Sequence, residues 1–228
     1  MHVPDGFLDA QTSVATAVVA GPVVVGSIVA ARRSLDDRAA PLAGLVAVFV
    51  FSAQMLNFPV GAGTSGHLVG AALAAVLVGP ATATLCLTVV LAVQALLFAD
   101  GGISAIGTNV LLMGVVAVWV GWGVFRLVLA VLPRRLSSVS FAAGAGAFAS
   151  VPAAALAFVG LYALGGTAPI PLDTLATAMG AWHGLIGIGE ALITVLAVSS
   201  ILAARPDLVH GARGRLPALE LRVPAAVA

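Results

Sequence analysis

Apolar residues run through this chain in long blocks rather than in the three-to-four spacing of a surface helix. A helix needs about 20 mainly apolar residues to cross a bilayer. Seven blocks predict spans: 13–31, 41–57, 67–79, 80–99, 107–132, 140–165 and 180–204. The third is short. At 1.5 Å per residue it covers only ~20 Å of a ~30 Å hydrocarbon core. Residues 67–98 therefore also read as one long helix, but Pro80 after Gly79 disrupts such continuity.

The arginines give the direction. Basic residues in short loops stay on the cytoplasmic side. With the N-terminus outside, Arg32, Arg33 and Arg38 face inward, as do Arg134 and Arg135, with Arg126 near the same helix end. Arg205, Arg213, Arg215 and Arg222 follow the last span on that side. Merging the third and fourth spans would move the later ones outside. The expected fold is all-α: a polytopic membrane helix bundle of seven transmembrane helices, N-terminus outside and C-terminus cytoplasmic. Asp5, Asp9, Asp100 and Asp173 fall in the external segments. They give that face an attraction for cations, although aspartates also cap helices and turns. Residues 1–204 read as the membrane-embedded domain. Residues 205–228, with Pro206, Pro217 and Pro224, read as a short, frayed cytoplasmic tail.

Composition sharpens this picture. The 228 residues are 61% hydrophobic and 8% charged, against about 25% charged in soluble domains. The solvent is lipid. A net charge of +1 argues against nucleic acid. All ten basic residues are Arg, so no Walker-type phosphate loop is available and ATP must act elsewhere. The lone Cys86 excludes an internal disulfide and a cysteine metal cluster. MHVPDGFLDA lacks the basic opening of a secretory signal. The mature chain is expected to begin at Met1, because methionine removal needs a small second residue and His2 is large.

Of the four histidines, His210 belongs to the tail and reads as an ordinary surface residue. His2 is unusual by position. A free terminal amine, the residue 2 backbone nitrogen and the His2 imidazole Nδ1 can close two fused chelate rings. Nitrogen-rich planar sites favour Ni²⁺ or Cu²⁺. One planar position stays open for a second histidine. His67, in NFPVGAGTSGHLVG at 57–70, suits that role. Gly61, Gly63 and Gly66 permit unusual backbone shapes, and such a loop can dip into the membrane where protein surrounds it. Asn57, Thr64 and Ser65 could orient the imidazole by hydrogen bonds. Chemistry alone leaves this open, since lone histidines also bond at helix interfaces and glycine-rich loops also pack helices.

At these residues the chain resembles the CbiM/NikM family, the substrate-binding components of energy-coupling-factor importers for cobalt and nickel. The resemblance rests on MHVPDGFLD at 1–9, NFPVGAGTSGHLVG at 57–70, FADGGISAIGTNVLLMG at 98–114 and HGLIGIGEALIT at 183–194. It implies a planar nitrogen site for the transported Ni²⁺ or Co²⁺, with Met1 (amine), His2 (backbone nitrogen and imidazole) and His67 (imidazole) as ligands and no organic cofactor. Its implied partners are a transmembrane coupling protein, two cytoplasmic ATPase subunits and, in some assemblies, a small accessory membrane protein. Its implied setting is the cell membrane of a bacterium or archaeon. DAQTS after Leu8 departs from members with Pro and Trp there, which leaves the metal undecided.

Four further residues carry open alternatives. Asp100, before Gly101 and Gly102, reads as a turn or as a lid that offsets the metal's charge. Asn109, like Gln94, reads as a bond between helices rather than a ligand. Glu190 is the one acidic residue deep in a span, and His183 shares its helix face. Glu190 should face the bundle, neutral or paired to Asn, Gln or Thr, either for packing or as an anchor beneath the site. An enzyme is not expected: a metalloenzyme needs an open metal position and a general base, and no HExxH pair occurs. A proton-coupled transporter working alone through Glu190 is the other reading. Small residues at Gly144, Ala145, Gly146 and 152–157 are expected to pack against a partner.

Overall fold

A computed structural model of the chain describes residues 2–34, 39–61 and 64–216. Helix α1 (Ala10–Ser34) starts where Asp9 accepts the Thr12 N–H at 2.7 Å, an N-cap bond that satisfies one orphan donor of the first turn. Helix α2 (Ala39–Gln54) follows, then a hairpin of β1 (Phe58–Gly61) and β2 (Thr64–Gly66). Helix α3 (Ala71–Val78) and helix α4 (Pro80–Leu97) meet at Gly79, whose φ of 85° is readily open only to glycine. Helix α5 (Ile106–Asn109) continues through a π-helical stretch, Val110–Ala117, into α6 (Val118–Val131). Helices α7 (Leu136–Gly165) and α8 (Leu172–Ala204) pack against each other along their lengths.

Five helical stretches among the described residues are long and apolar enough to cross a membrane: Ala10–Arg33, Pro80–Leu97, Ile106–Val131, Leu136–Gly165 and Leu172–Ala204. Their outer faces carry exposed Val18, Leu127, Phe141 and Leu192. So much exposed apolar surface on long helices fits a lipid solvent and not water. The chain is a multi-pass membrane protein.

Two expectations need correction. The fold is not purely helical: 58–61 and 64–66 pair as two short antiparallel strands, with Phe58 opposite Gly66 and Pro59 opposite Ser65. The predicted span 67–79 is helical only over 71–78, too short to cross a membrane alone. Residues 67–70 are irregular because their backbone polar groups bond to side chains of other helices. Both α7 and α8 also begin earlier than hydropathy suggested, because serine, threonine and Asp173 lower hydropathy without breaking a helix.

The start of the tail is packed rather than frayed. Short 3₁₀ turns at Pro206–Leu208 and His210–Arg215 bury Val209 and Ala212. Arg215 donates to the carbonyls of Leu129, Leu132 and Pro133 at the end of α6, where cations suit the helix dipole. His210 is half-buried against Trp122, ring centroids 5.7 Å apart, and against Gly79. Residues 217–228 lie outside the described residues, as do Arg38 and Gly63.

The small residues of α7 are used inside the molecule. A Cβ on Gly144 would come within 2.5 Å of Val195, and one on Gly146 within 2.5 Å of the Gly121 carbonyl oxygen. Ala154 and Ala155 are fully buried. Gly144 and Gly146 let α7 approach α8 and α6 closely, while Ala145, Pro152, Ala153 and Ala157 stay partly exposed.

Candidate metal centre

The centre is built on the segment from His2 to Asp9, which is held from two sides. On one side, Asn109 of α5 grips Val3: Oδ1 accepts its N–H at 2.8 Å, and Nδ2 donates to its carbonyl at 3.1 Å. The Gly102 N–H adds a bond to the same carbonyl at 2.9 Å. Asp5 accepts the backbone N–H groups of Ser104 and Ile103 at 2.7 and 3.2 Å, and the Ser104 hydroxyl. The Ser104 bonds, side chain then backbone, lead in holding the Asp5 carboxyl below its usual range. On the other side, the Thr167 N–H donates to Phe7 O at 3.1 Å, and the Asp9 N–H donates to Gly165 O at 2.7 Å.

Close approach explains the Asp100-Gly101-Gly102 turn. Gly101 has φ 95°, and a Cβ there would sit 3.1 Å from the Asn109 amide and 3.5 Å from His2 Cβ. At Gly102 a Cβ would strike the Asp5 backbone nitrogen. Both glycines let the turn lie directly on the N-terminal segment.

This clamp delivers the His2 ring to His67. The two imidazoles stack with centroids 4.4 Å apart and planes 19° apart. The His2 side chain is 3% exposed, and His67 is fully buried. His2 Nε2 lies 3.1 Å from Gln94 Oε1. With that oxygen accepting, Nε2 carries the hydrogen and Nδ1 keeps a lone pair. Nδ1 in turn lies 3.0 Å from Asp100 Oδ1, within ion-pair reach but off the line of a hydrogen bond. Burial pushes the Asp100 carboxyl up; His2, and then the Asn57 amide bonded at 2.8 Å, outweigh it and hold it below its usual range.

His67 is presented in the same way. Its Nδ1 lies 2.9 Å from the Leu68 carbonyl and must carry the hydrogen, so Nε2 holds the lone pair. Among the described residues that buried Nε2 has no hydrogen-bond partner, an expensive state for a polar atom unless something else binds it. The next two residues explain the ring's fixed place. Glu190 of α8 accepts the Val69 N–H at 2.7 Å and the Gly70 N–H at 2.9 Å, one on each oxygen. Gln54 of α2 donates to the Val69 carbonyl at 2.8 Å. Glu190 thus supplies at a distance the cap that α3 lacks in its own sequence, at the helix end where negative charge is favoured.

Several expectations change here. Glu190 faces the bundle, but its partners are backbone amides rather than Asn, Gln or Thr. Asn109 bonds a backbone segment rather than another helix's side chain. His183 is tied to its own helix through Met179 O at 2.9 Å, and among the described residues its buried Nε2 has no hydrogen-bond partner. Asn57, Thr64, Ser65 and Asp100 line the mouth of an open pocket of about 570 Å³ beside His2. Gln94, expected to bond between helices, lies against His2 instead, and Gln54 carries a role that the sequence reading missed. The available signal was an amide buried in an apolar helix, which needs a polar partner. The Met1 amine lies outside the described residues. Among the described residues no three His, Cys, Asp or Glu side chains form a metal cluster. The stacked rings keep their in-plane lone pairs in two nearly parallel planes, so converging on one ion requires one ring to turn.

Comparison with known proteins bears on the fold and the family. The family described as the cobalt uptake substrate-specific transmembrane region matches residues 2–208. A protein of Haloquadratum walsbyi named for metal transport is 40% identical over 92% of this chain and 93% of its own length. The fused nickel transport protein NikMN of Rhodobacter capsulatus is 34% identical over 92% of this chain, which spans 64% of that longer protein. A crystal structure of a transition metal transporter superposes with a TM-score of 0.82 at 34% identity, covering 89% of this chain and 93% of the other. With the match running from the histidine of the clamped segment to the packed start of the tail, this chain belongs to the CbiM family of cobalt uptake substrate-specific transmembrane regions.

Proposed function

We propose that this chain is the substrate-binding membrane subunit of an ATP-driven energy-coupling-factor importer for cobalt or nickel ions. The observation that carries the proposal is the buried His2–His67 stack, with an unpartnered Nε2 on His67 and a lone pair directed to Nδ1 on His2. The Met1 amine and His2 backbone nitrogen complete a planar set of four nitrogens once a ring turns. Deprotonating the amide leaves a divalent ion with one net positive charge, which Asp100 offsets. The family's description names cobalt and the NikMN relative names nickel; planar nitrogen favours nickel. The His2 end faces outward and the arginine end the cytoplasm. There a coupling protein, two ATPase subunits and, in some assemblies, a small accessory membrane protein act on it in the cell membrane. Release needs a change of state driven by those partners, because tight binding alone moves nothing. The chain itself is a carrier, not an enzyme.

Titration of purified protein with nickel and with cobalt tests this reading, comparing the authentic N-terminus with a form extended before Met1. Binding should vanish in the extended form while its helical content is retained. Unchanged affinity there would remove the terminal amine from the site, and His67→Ala binding as tightly as the native chain would remove the imidazole. The proton-coupled carrier has a weaker basis. Protonating Glu190 would weaken its bonds to Val69 and Gly70 and loosen the segment that holds His67. Uptake that persists without any ATPase partner would favour it.

A further inference from the structure

At the end of the bundle opposite His2, a second cleft of about 350 Å³ opens between α6 and the packed start of the tail. Trp122, Arg126, His210 and Arg213 bring its polar chemistry. The Arg126 guanidinium lies 5.7 Å from the Trp122 ring centroid, a cation–π distance that holds the charge at the cleft wall. The charges here are poorly balanced. Among the described residues, Asp207 is the carboxylate at this end, and Arg205 holds it at 2.9 and 2.7 Å. Arg215 is occupied by carbonyls of α6. Arg126 and Arg213 have no carboxylate within ion-pair reach among the described residues. Burial, and then the charges of Arg213 and Arg126, hold His210 below its usual value. The cleft therefore presents two guanidinium groups that no described carboxylate compensates, beside a ring that a bound anion would help to protonate.

Position identifies the kind of anion. Arg126 lies inside an apolar helix that ends at Val131, about 7 Å further along at 1.5 Å per residue. Leu127 and Val131 beside it are 70% and 80% exposed. A ligand here meets guanidinium groups at one end and lipid-facing apolar surface at the other. A tryptophan at this level is also the usual marker of a bilayer interface. We infer that this cleft binds the phosphate headgroup of an anionic membrane lipid, with its acyl chains lying along the Leu127–Val131 face of α6.

The test uses the full chain in a neutral detergent, titrated separately with phosphatidylglycerol, phosphatidylcholine of the same chains and inorganic phosphate, with retained adducts read by native mass spectrometry. Phosphatidylglycerol should be retained saturably and in preference to phosphatidylcholine. The double substitution Arg126→Gln with Arg213→Gln should weaken that retention by about tenfold or more, two surface-level charges being lost. Arg126→Lys, which keeps the charge, should preserve most of it, and circular dichroism checks that each variant folds. Equal retention of the two lipids would overturn the proposal, as would undiminished retention by the folded double variant. Inorganic phosphate binding as tightly as the lipid would assign the cleft to a free anion and overturn the lipid part.

Discussion

Gln94 acts through one atom. Its Oε1 fixes which His2 nitrogen carries the hydrogen, and so which one is open to a metal. Outer hydrogen-bond partners of metal histidines are typically worth 10–100-fold in affinity. We expect Gln94→Leu to weaken nickel or cobalt binding by about that factor while circular dichroism stays unchanged. Asp5 predicts a pH response. Its folded carboxyl sits below the ordinary value of about 3.9, so its stabilisation is complete above that value and is lost as pH falls through the lower folded one. Hydrogen exchange at Val3 and Ser104 should therefore stay slow through mildly acidic conditions and accelerate only in stronger acid. Asp5→Asn should show faster exchange near neutrality with little further acid response. Little of this local chemistry was legible in the sequence. His2 and His67 stand out by position and loop context. The backbone N–H groups of Val69 and Gly70 carry no side-chain mark of their partner 120 residues away.

Helix cores follow hydropathy closely, because a lipid-facing helix is apolar on nearly every face. Their ends do not, because Asp9, Ser137 and Thr174 read as boundaries while sitting at or inside helix starts. The strand pair at 58–61 and 64–66 escaped notice for another reason. Its strands are too short to show alternation, and its glycines fit any tight loop. Packing between elements gives the sharpest test. At Gly146 a new Cβ would meet the Gly121 backbone oxygen at 2.5 Å, and a backbone atom of a packed helix cannot easily retreat. Gly146→Val should separate α6 from α7 and cost about 1–3 kcal/mol, read as a lowered thermal midpoint in detergent.

The molecule is polarised from end to end. The clamped segment, Asp5, Asp100 and the stacked rings occupy one end, while Arg126, Arg213 and Arg215 gather toward the other. Charge counting predicts an orientation for this polarity, because it depends only on which loops join which spans, not on how the spans pack. With Cys86 replaced by serine, a cysteine at Asp173 should react with a membrane-impermeant thiol reagent in intact cells. One at Arg134 should react only after the cells are opened. The opposite result would invert the proposed orientation.

The stitching of residues 2–9 also acts as a ruler. Asn109 fixes one end at Val3, and Gly165 fixes the other at Asp9. An extended residue spans about 3.3 Å, longer than a metal–nitrogen bond of about 2 Å. Losing or gaining one residue between those pins would force one of them open, and a slip of one residue at Val3 would carry His2 out of reach of any shared ion. The number of residues in this segment therefore shapes the site as much as His2, Asp5 and the turn at Gly6 do.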